Sequence, residues 1–239
     1  MADRLAERLA EQGARAVVLV GSHARGEASI DSDLDLAVVG EGPHYRLEAI
    51  DDVLVSVGWA TEAAQRRRLY EPEYLGTHVP GWREAVVLRD PDDVAASIKR
   101  EASEWSWERV ENDLGEWVAE SVTGHAEEAL KLSASLRARR ETAAAVQRSL
   151  LALRLPAILA LRLRILYGSE NELCDRVGEA LGPAWRDAQS AALGLEGESF
   201  EAGCKAALRL FALAVGEVGP LLDDRQRGVV EHVVRRIGD

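Results

Sequence analysis

The sequence predicts an α/β N-terminal domain, with a mixed sheet flanked by helices, followed by an all-α helical bundle. Three observations support this fold class. Short runs of β-branched and apolar residues alternate with helical segments over about the first 90 residues. From Asp92 to the C-terminus no run resembles a strand, and helical periodicity dominates. The 239 residues, 47% of them hydrophobic, suffice for two domains with cores of their own. We therefore expect residues 1–98 to form the first domain and 99–239 the second.

Apolar patterning and chain breaks define the elements of the first domain. Residues 4–12 place their apolar side chains on one helical face and predict a helix that ends at Gly13. The run Ala16–Val20 is fully apolar, which is typical of a buried strand, and Gly21 ends it. Further strands are predicted at 34–39, 53–59 and 85–88, and a helix at 61–70.

Helical periodicity covers nearly all of the second domain. Glycine and proline pairs supply its breaks, and Pro156 is expected to kink the helix that contains it. The predicted helices lie at about 92–102, 107–136, 141–166, 171–190, 200–217 and 221–237.

The sequence does not predict a membrane protein. No stretch of about 18 uncharged apolar residues is present. The most apolar run, 150–166, carries three arginines and predicts a buried helix instead. The N-terminus lacks the basic and then apolar order of a secretion signal, so the cytoplasm is the expected location.

The charge balance argues against nucleic acid as a partner. The formal net charge is −12, whereas proteins that bind a phosphate backbone usually present a basic surface. An acidic chain suits a cationic acceptor better. Cys174 and Cys204 have no paired metal-ligand spacing, and we expect both to be reduced.

The segment that follows the first strand has the features of a phosphate-binding loop. Gly21 and Ser22 end the strand, and the next residues can start a helical turn. This order brings free backbone N–H groups and the Ser22 hydroxyl to one point, and Gly21 allows a phosphate to approach closely. Arg25, one turn later, can add charge-assisted contacts. His23, in the same loop, is expected to face solvent, with contact to a phosphate as the alternative.

Two carboxylates in the next strand predict a metal site. Asp33 and Asp35 flank Leu34, and the period of two in a strand sends both carboxylates to one face. Carboxylates held side by side repel each other, and a divalent cation removes that repulsion. Mg²⁺ typically binds through one or two carboxylates together with substrate phosphates.

Together these motifs resemble the signature of the polymerase-beta-type nucleotidyltransferase superfamily. The matching residues are Gly-Ser-x-x-Arg-Gly from Gly21 and Asp-Ser-Asp-Leu-Asp-Leu from Asp31. The order of an α/β domain and a helical domain is also similar to the kanamycin (aminoglycoside) nucleotidyltransferase group. That likeness implies Mg²⁺, ATP, a hydroxyl acceptor on a small cationic molecule, and a homodimer. Ser32, inside the second motif, joins the expected nucleotide-binding residues.

The resemblance also exposes one departure. Members of the superfamily usually carry a third acid on the next strand of the sheet, and here Ser56 occupies the expected position. A serine cannot replace a carboxylate as metal ligand or base. Asp52 shares the parity of Ser56 on the strand and is the alternative source of an acid.

The general base is expected on the first long helix of the second domain. The kanamycin group carries a helical Glu followed by a Lys one turn later, and Glu127 and Lys131 have this spacing. The resemblance therefore implies that Glu127 is catalytic and that Lys131 contacts the nucleotide. Glu120 and His125 are rival bases, and a surface ion pair is the structural alternative for Glu127 and Lys131.

Residues 101–128 contain nine acidic side chains and one basic side chain, Arg109. This acidic segment could hold a cationic acceptor, or it could be a solvated helix face.

Three functions follow from the sequence. The leading one is transfer of AMP from Mg-ATP to a hydroxyl of an aminoglycoside-like small molecule. The alternatives are AMP transfer to a protein side chain, and nucleotide binding without catalysis.

Overall fold

The computed structural model describes residues 1–238, and for Asn112 the backbone only. Within this range the chain forms two units. The first contains Met1–Arg109 and the short segment Leu166–Ser169, and the second contains Val110–Ile165 and the chain from Glu170 onward. Residues 99–109, which the sequence assigned to the helical part, thus lie in the first unit.

A five-stranded mixed sheet is the centre of the first unit. Its strands are β1 (Ala16–Val20), β2 (Leu34–Val39), β3 (Tyr45–Ile50), β4 (Val53–Ala60) and β5 (Val86–Arg89). Their order across the sheet is β3-β4-β2-β1-β5. The central pair β2 and β4 is parallel, and the other neighbouring pairs are antiparallel. The mixed sheet and the helical second unit confirm the predicted fold class.

Five α-helices flank this sheet. They are α1 (Ala2–Glu11), α2 (Gly21–Arg25), α3 (Glu62–Arg68), α4 (Pro72–Glu84) and α5 (Val94–Ser103), and a short 3-10 helix follows at Trp107–Arg109. Helix α1 packs its apolar face on one side of the sheet, where Leu36, Val38, Val57 and Trp59 form the core with it. Because side chains alternate along a strand, the residues between these core positions lie on the other face.

Two elements of the first unit were not predicted from the sequence. Strand β3 presents Tyr45 and Leu47 on its exposed side, and the charged residues Arg46 and Glu48 lie on its less exposed side. Its apolar residues therefore do not mark its buried face, and the pattern does not indicate a strand. Helix α4 contains Pro80 and two glycines, which are signals for a loop. Tertiary packing maintains α4, since Leu75, Val79 and Trp82 are buried. His78 also lies in this helix.

The second unit is entirely helical in its described residues. Its helices are α6 (Glu111–Gly124), α7 (Ala126–Arg137), α8 (Glu141–Arg162), α9 (Glu170–Leu181), α10 (Pro183–Leu193), α11 (Phe200–Val218) and α12 (Asp224–Gly238). The helix predicted at 107–136 is interrupted at His125, and the one predicted at 171–190 is interrupted at Gly182. Pro156 lies inside α8 without ending it.

Helix α8 is the one described helix that is long and apolar enough to cross a membrane. Half of its apolar window is buried by the rest of the protein, and Leu151, Leu155 and Leu159 are fully buried. The core helix of a folded unit has these same properties, so α8 is weak evidence for a membrane span. Its packing agrees with the buried helix that the sequence predicted for this run.

Candidate functional site

The end of β1 and the start of β2 bring the two sequence motifs together. Val20, the last residue of β1, pairs with Asp35 of β2, so Gly21 follows directly beside the Asp35 carboxylate. Gly21 has a φ of 69°, in the left-handed region. A Cβ atom at this position would lie within 3.0 Å of Asp35 Oδ2, closer than real Cβ atoms come. Both the backbone conformation and the carboxylate therefore require glycine here.

Asp35 is a half-buried carboxylate in an acidic environment. Burial raises its pKa, and the neighbouring Asp33 carboxylate raises it further. A hydrogen bond from Ser56 and the positive charges of His23 and Arg25 lower the pKa of Asp35 but do not cancel the rise. Asp33 immediately precedes β2, and its electrostatic effect on Asp35 agrees with the predicted placement of both carboxylates on one face.

Ser56 lies where the resemblance places a third acid. It pairs in register with Asp35 across the parallel strands β2 and β4, and its hydroxyl donates a hydrogen bond to the Asp35 carboxylate. Asp52 does not replace it, because Asp52 is in the turn of the β3–β4 hairpin with a φ of 63°. The sheet thus supplies two carboxylates and one hydroxyl at this point.

This set of side chains fits one hard cation that is shared with a phosphate ligand. Among the residues that the structure describes, no group of three His, Cys, Asp or Glu side chains is close enough to hold a metal ion by itself. Mg²⁺ usually takes only one or two protein carboxylates and completes its shell with water and substrate phosphates. Asp33 and Asp35 meet this requirement. Burial is the main cause of the raised pKa of Asp35, and repulsion by Asp33, which a cation would relieve, adds to it.

The residues of α2 line the loop beside these carboxylates. Helix α2 has five residues, so its dipole is small and the loop must rely on individual N–H groups and side chains. Ser22 is the second residue of α2, and its carbonyl accepts a hydrogen bond from the Glu27 N–H at 3.0 Å. This bond fixes the backbone of the loop and leaves the Ser22 hydroxyl outside it.

The environment of His23 differs from the one that the sequence predicts. We expected it to face solvent, but its Nε2 atom is buried and has no hydrogen-bond partner in the described part of the chain. A buried polar atom without a partner is rare in proteins and is satisfied at functional sites by a ligand or by water. The one signal in the sequence was its position between Ser22 and Arg25.

Arg25 is held by the first unit rather than being free. Its Nε atom donates to Glu27 Oε2 at 2.6 Å, and its Nη1 atom lies 3.7 Å from Glu84 Oε2 and donates to the Gly168 carbonyl at 3.3 Å. To contact a phosphate, as the sequence predicts, Arg25 would have to exchange one of these partners. Its charge already acts on Asp35 from its present position.

Ser32 organises the exposed loop between α2 and β2. Its hydroxyl accepts a hydrogen bond from the Ser29 N–H at 2.8 Å, and its own N–H donates to the Ser29 carbonyl at 3.2 Å. These bonds close a turn just before Asp33. The predicted contact of Ser32 with a nucleotide stays a prediction.

The raised pKa of Asp35 predicts how stability depends on pH. The folded state binds a proton at Asp35 more readily than the unfolded chain does. The free energy of unfolding therefore falls as pH rises from about 4, the ordinary Asp pKa, through the raised pKa.

We expect Asp35→Asn to raise the Tm at pH 7 in EDTA, and the difference in Tm from wild type to shrink towards pH 4. Thermal unfolding across this range tests the prediction, with Asp31→Asn, an exposed carboxylate, as control. A lower Tm for Asp35→Asn at pH 7 would contradict it.

Glu127 and Lys131 lie on α7 of the second unit. The Lys131 Nζ and Glu127 Oε1 atoms are 2.6 Å apart, and 70% of the Glu127 side chain is exposed. The Glu127 carboxylate raises the pKa of Lys131. These contacts match the surface ion pair that we considered as the structural alternative. The catalytic role of Glu127 and the nucleotide contact of Lys131 stay predictions.

The rival bases have partners of their own. Hydrogen bonds from Gln226 and Arg225 lower the pKa of Glu120, which makes it a weaker base. The Nδ1 atom of His125 lies 2.7 Å from the Ser121 carbonyl.

The acidic segment 101–128 belongs to both units of the protein. It is divided between the two units at Arg109 and Val110. Several of its carboxylates are paired: Glu101 with Arg66, Glu111 with Arg164, and Glu120 with Arg225. Within the described residues, the protein itself thus compensates part of this negative charge, at three of the nine carboxylates.

Comparison with known proteins agrees with this geometry. Residues 2–113 match the family model described as nucleotidyltransferase domain. The fold is similar to the crystal structure of a nucleotidyltransferase-like protein from Exiguobacterium sibiricum 255-15. The TM-score is 0.57 at 15% sequence identity, over 95% of this chain and 79% of that chain. Among proteins of curated function none matches the sequence significantly. The family match supports a nucleotidyltransferase domain in the first part of the chain, and the structural likeness shows the fold alone.

Proposed function

We propose that this protein is a Mg²⁺-dependent nucleotidyltransferase that moves AMP from ATP to a hydroxyl group of a small molecule. The observation that carries the proposal is the contact between Gly21 and Asp35. It brings a glycine loop suited to phosphate directly against a carboxylate pair suited to Mg²⁺. Structural stability does not explain this arrangement, because burial and Asp33 both disfavour the charged form of Asp35.

Each residue of the site has a role in the proposed reaction. Asp33 and Asp35 would hold Mg²⁺, which when bound neutralises charge on the triphosphate and on the departing pyrophosphate. The N–H groups and hydroxyl at Gly21 and Ser22 would bind the β- and γ-phosphates. The buried Nε2 atom of His23 is available for a phosphate oxygen, which would satisfy it.

The transfer itself requires an acceptor with a removable proton. The acceptor oxygen forms a bond to the α-phosphorus, and the bond from that phosphorus to the bridging oxygen breaks, which releases pyrophosphate. Glu127 is the proposed base for the hydroxyl proton. In that role it would have to part from Lys131, which then becomes free to contact the nucleotide.

An aminoglycoside-like acceptor is the class that the sequence resemblance implies. Such molecules offer several hydroxyls and carry positive charge, which a chain with a net charge of −12 attracts. The paired carboxylates of the segment 101–128 reduce the support for a dedicated cation-binding surface. The acceptor class is therefore a matter for direct assay.

The assay uses the full chain, ATP labelled at the α-phosphate, and Mg²⁺. Acceptors are offered in separate reactions: kanamycin as a polycationic aminoglycoside, a neutral disaccharide, and a cell lysate as a source of proteins. We expect label on a small molecule, with release of pyrophosphate and no product in EDTA. Label on a protein band instead would show transfer to a side chain. Binding of ATP with no labelled product in any reaction would contradict the proposed transfer.

A second function, nucleotide binding without catalysis, is favoured by one observation. Ser56 occupies the position in register with Asp35 where a third acid is expected, so the site has one fewer carboxylate for metal and base chemistry. If the protein binds nucleotide without catalysis, we expect calorimetry to detect Mg-ATP binding while the transfer assay detects no turnover. The Ser56→Asp variant would then be inactive as well. The same measurements decide between the two functions.

A further inference from the structure

The second unit contains a cavity whose walls differ in charge from the rest of the molecule. It has a volume of about 550 Å³, which is in the range of small-molecule sites. It is partly open to solvent and is lined by the end of α7, the starts of α8 and α11, and the end of α12. Four cationic side chains line it against two carboxylates, although the chain as a whole has a net charge of −12. The cations are Arg137, Arg139, Arg140 and Lys205.

The two carboxylates at the cavity leave half of this positive charge uncompensated. Glu201 pairs with Lys205, with 2.6 Å between Oε1 and Nζ. Glu141 has no ion-pair partner among the described residues, and it stands at the first position of α8. Arg137 donates a hydrogen bond to the Ser133 hydroxyl at 2.8 Å, which holds its guanidinium at the cavity wall without neutralising it.

Helix stability does not account for the two arginines that follow α7. A cation in the last turn of a helix is favourable, and Arg137 meets that rule. Arg139 and Arg140 lie beyond this turn, and Arg140 directly precedes the N-terminus of α8, the positive end of a 22-residue helix. Positive side chains at that end are unfavourable for the helix, and a bound anion would reverse the effect.

The cavity also reaches a buried residue. Ser135 lines it and has 2% of its surface exposed, whereas Arg139 and Arg140 are exposed. The lining thus extends from exposed cations to a buried residue, which suits a small ligand that can enter a cavity.

Apolar side chains complete the lining of the cavity. They are Leu136, Ala144, Phe200, Leu208 and Ile237. Phe200 is partly exposed at 36%, whereas Leu208 is buried. An aromatic side chain beside arginines suits a ligand that has both a ring and an anionic group.

We propose that this cavity is a second ligand site, which binds a small organic phosphate that carries an aromatic ring. The Arg139 and Arg140 guanidinium groups bind the phosphate, and the ring packs against Phe200 and Leu208. The site is independent of the carboxylate pair at Asp33 and Asp35, and it does not require Mg²⁺.

The test uses the fluorescent aryl phosphate 1-naphthyl phosphate with the full chain in EDTA. We expect one bound molecule per chain, at an affinity at least roughly tenfold above those of inorganic phosphate and of 1-naphthol. Arg139→Gln combined with Arg140→Gln should weaken binding at least roughly tenfold, because both charge-assisted contacts are lost. The matched control is Arg4→Gln with Arg67→Gln, which removes the same charge from exposed positions of the first unit.

Two further measurements keep the test decisive. Circular dichroism establishes that the variants fold. Phe200→Leu should weaken the binding of 1-naphthyl phosphate but not the binding of inorganic phosphate. Absence of binding to the wild type would overturn the proposal. Equal affinity in the Arg139 and Arg140 double variant and in its control would place the ligand elsewhere and would overturn it as well.

Discussion

Asp35→Asn is expected to reduce nucleotide transfer at least about a thousandfold, since a catalytic metal contributes several kcal/mol of transition-state stabilisation. The variant keeps the shape of the side chain and the hydrogen bond to Ser56 but removes the charge beside Gly21. Mg²⁺-dependent binding of ATP should be lost with it. Steady-state kinetics and calorimetry with Mg²⁺ and a non-hydrolysable ATP analogue measure the two effects.

Unfolding cannot produce this result, because the same variant is expected to be more stable than the wild type in EDTA at pH 7. Asp31→Asn is the matched control, since it makes the same chemical change on an exposed carboxylate of the neighbouring loop. Its turnover and metal dependence should equal those of the wild type. Unchanged turnover in Asp35→Asn would rule out the proposed mechanism.

Gly21→Ala is expected to cause the second largest loss of transfer activity. Gly26→Ala is its matched control. Both glycines have positive φ angles, 69° at Gly21 and 74° at Gly26. Alanine in this conformation costs about 1–2 kcal/mol at either position. The two differ in their surroundings: a Cβ atom at Gly26 meets nothing within 4 Å, whereas one at Gly21 meets the Asp35 carboxylate.

The two variants should therefore lose similar stability but very different amounts of activity. A carboxylate displaced by about 1 Å is enough to lower the rate roughly a hundredfold, so Gly21→Ala should fall by that factor or more. Gly26→Ala should keep activity close to wild type at temperatures below its Tm. Thermal unfolding and the transfer assay on both proteins give the comparison. Equal activities in the two variants would show that the contact between residue 21 and Asp35 does not affect catalysis.

Much of the candidate site could be predicted from the sequence, because it is built from short-range geometry. The period of two along β2 predicts that Asp33 and Asp35 share a face, and the electrostatic effect of Asp33 on Asp35 is consistent with this. The position of Ser56 beside Asp35 was also expected, although β3 lies between β2 and β4 in the chain. Strand β3 forms the edge of the sheet, so its insertion leaves the pairing of β2 with β4 intact.

The remaining features depend on tertiary contacts that local patterns do not contain. Helix α4 forms in spite of Pro80 because its apolar side chains are buried in the first unit. The burial of His23 Nε2 depends on how α2 packs against the sheet, which the loop sequence does not specify. The cavity at Arg139 and Arg140 combines residues of the consecutive helices α7 and α8 with residues of α11 and α12, which lie much later in the sequence.

The central claim is that Asp33, Asp35 and the Gly21 loop together hold a metal-bound nucleoside triphosphate. A crystal structure of the full chain with Mg²⁺ and a non-hydrolysable ATP analogue tests it most directly. We predict a Mg²⁺ ion at about 2.0–2.1 Å from oxygens of Asp33 and Asp35 and of the triphosphate, as is usual for this ion. The phosphates should contact the backbone at Gly21 and Ser22. A nucleotide bound away from this loop, or a metal that touches neither aspartate, would contradict the claim.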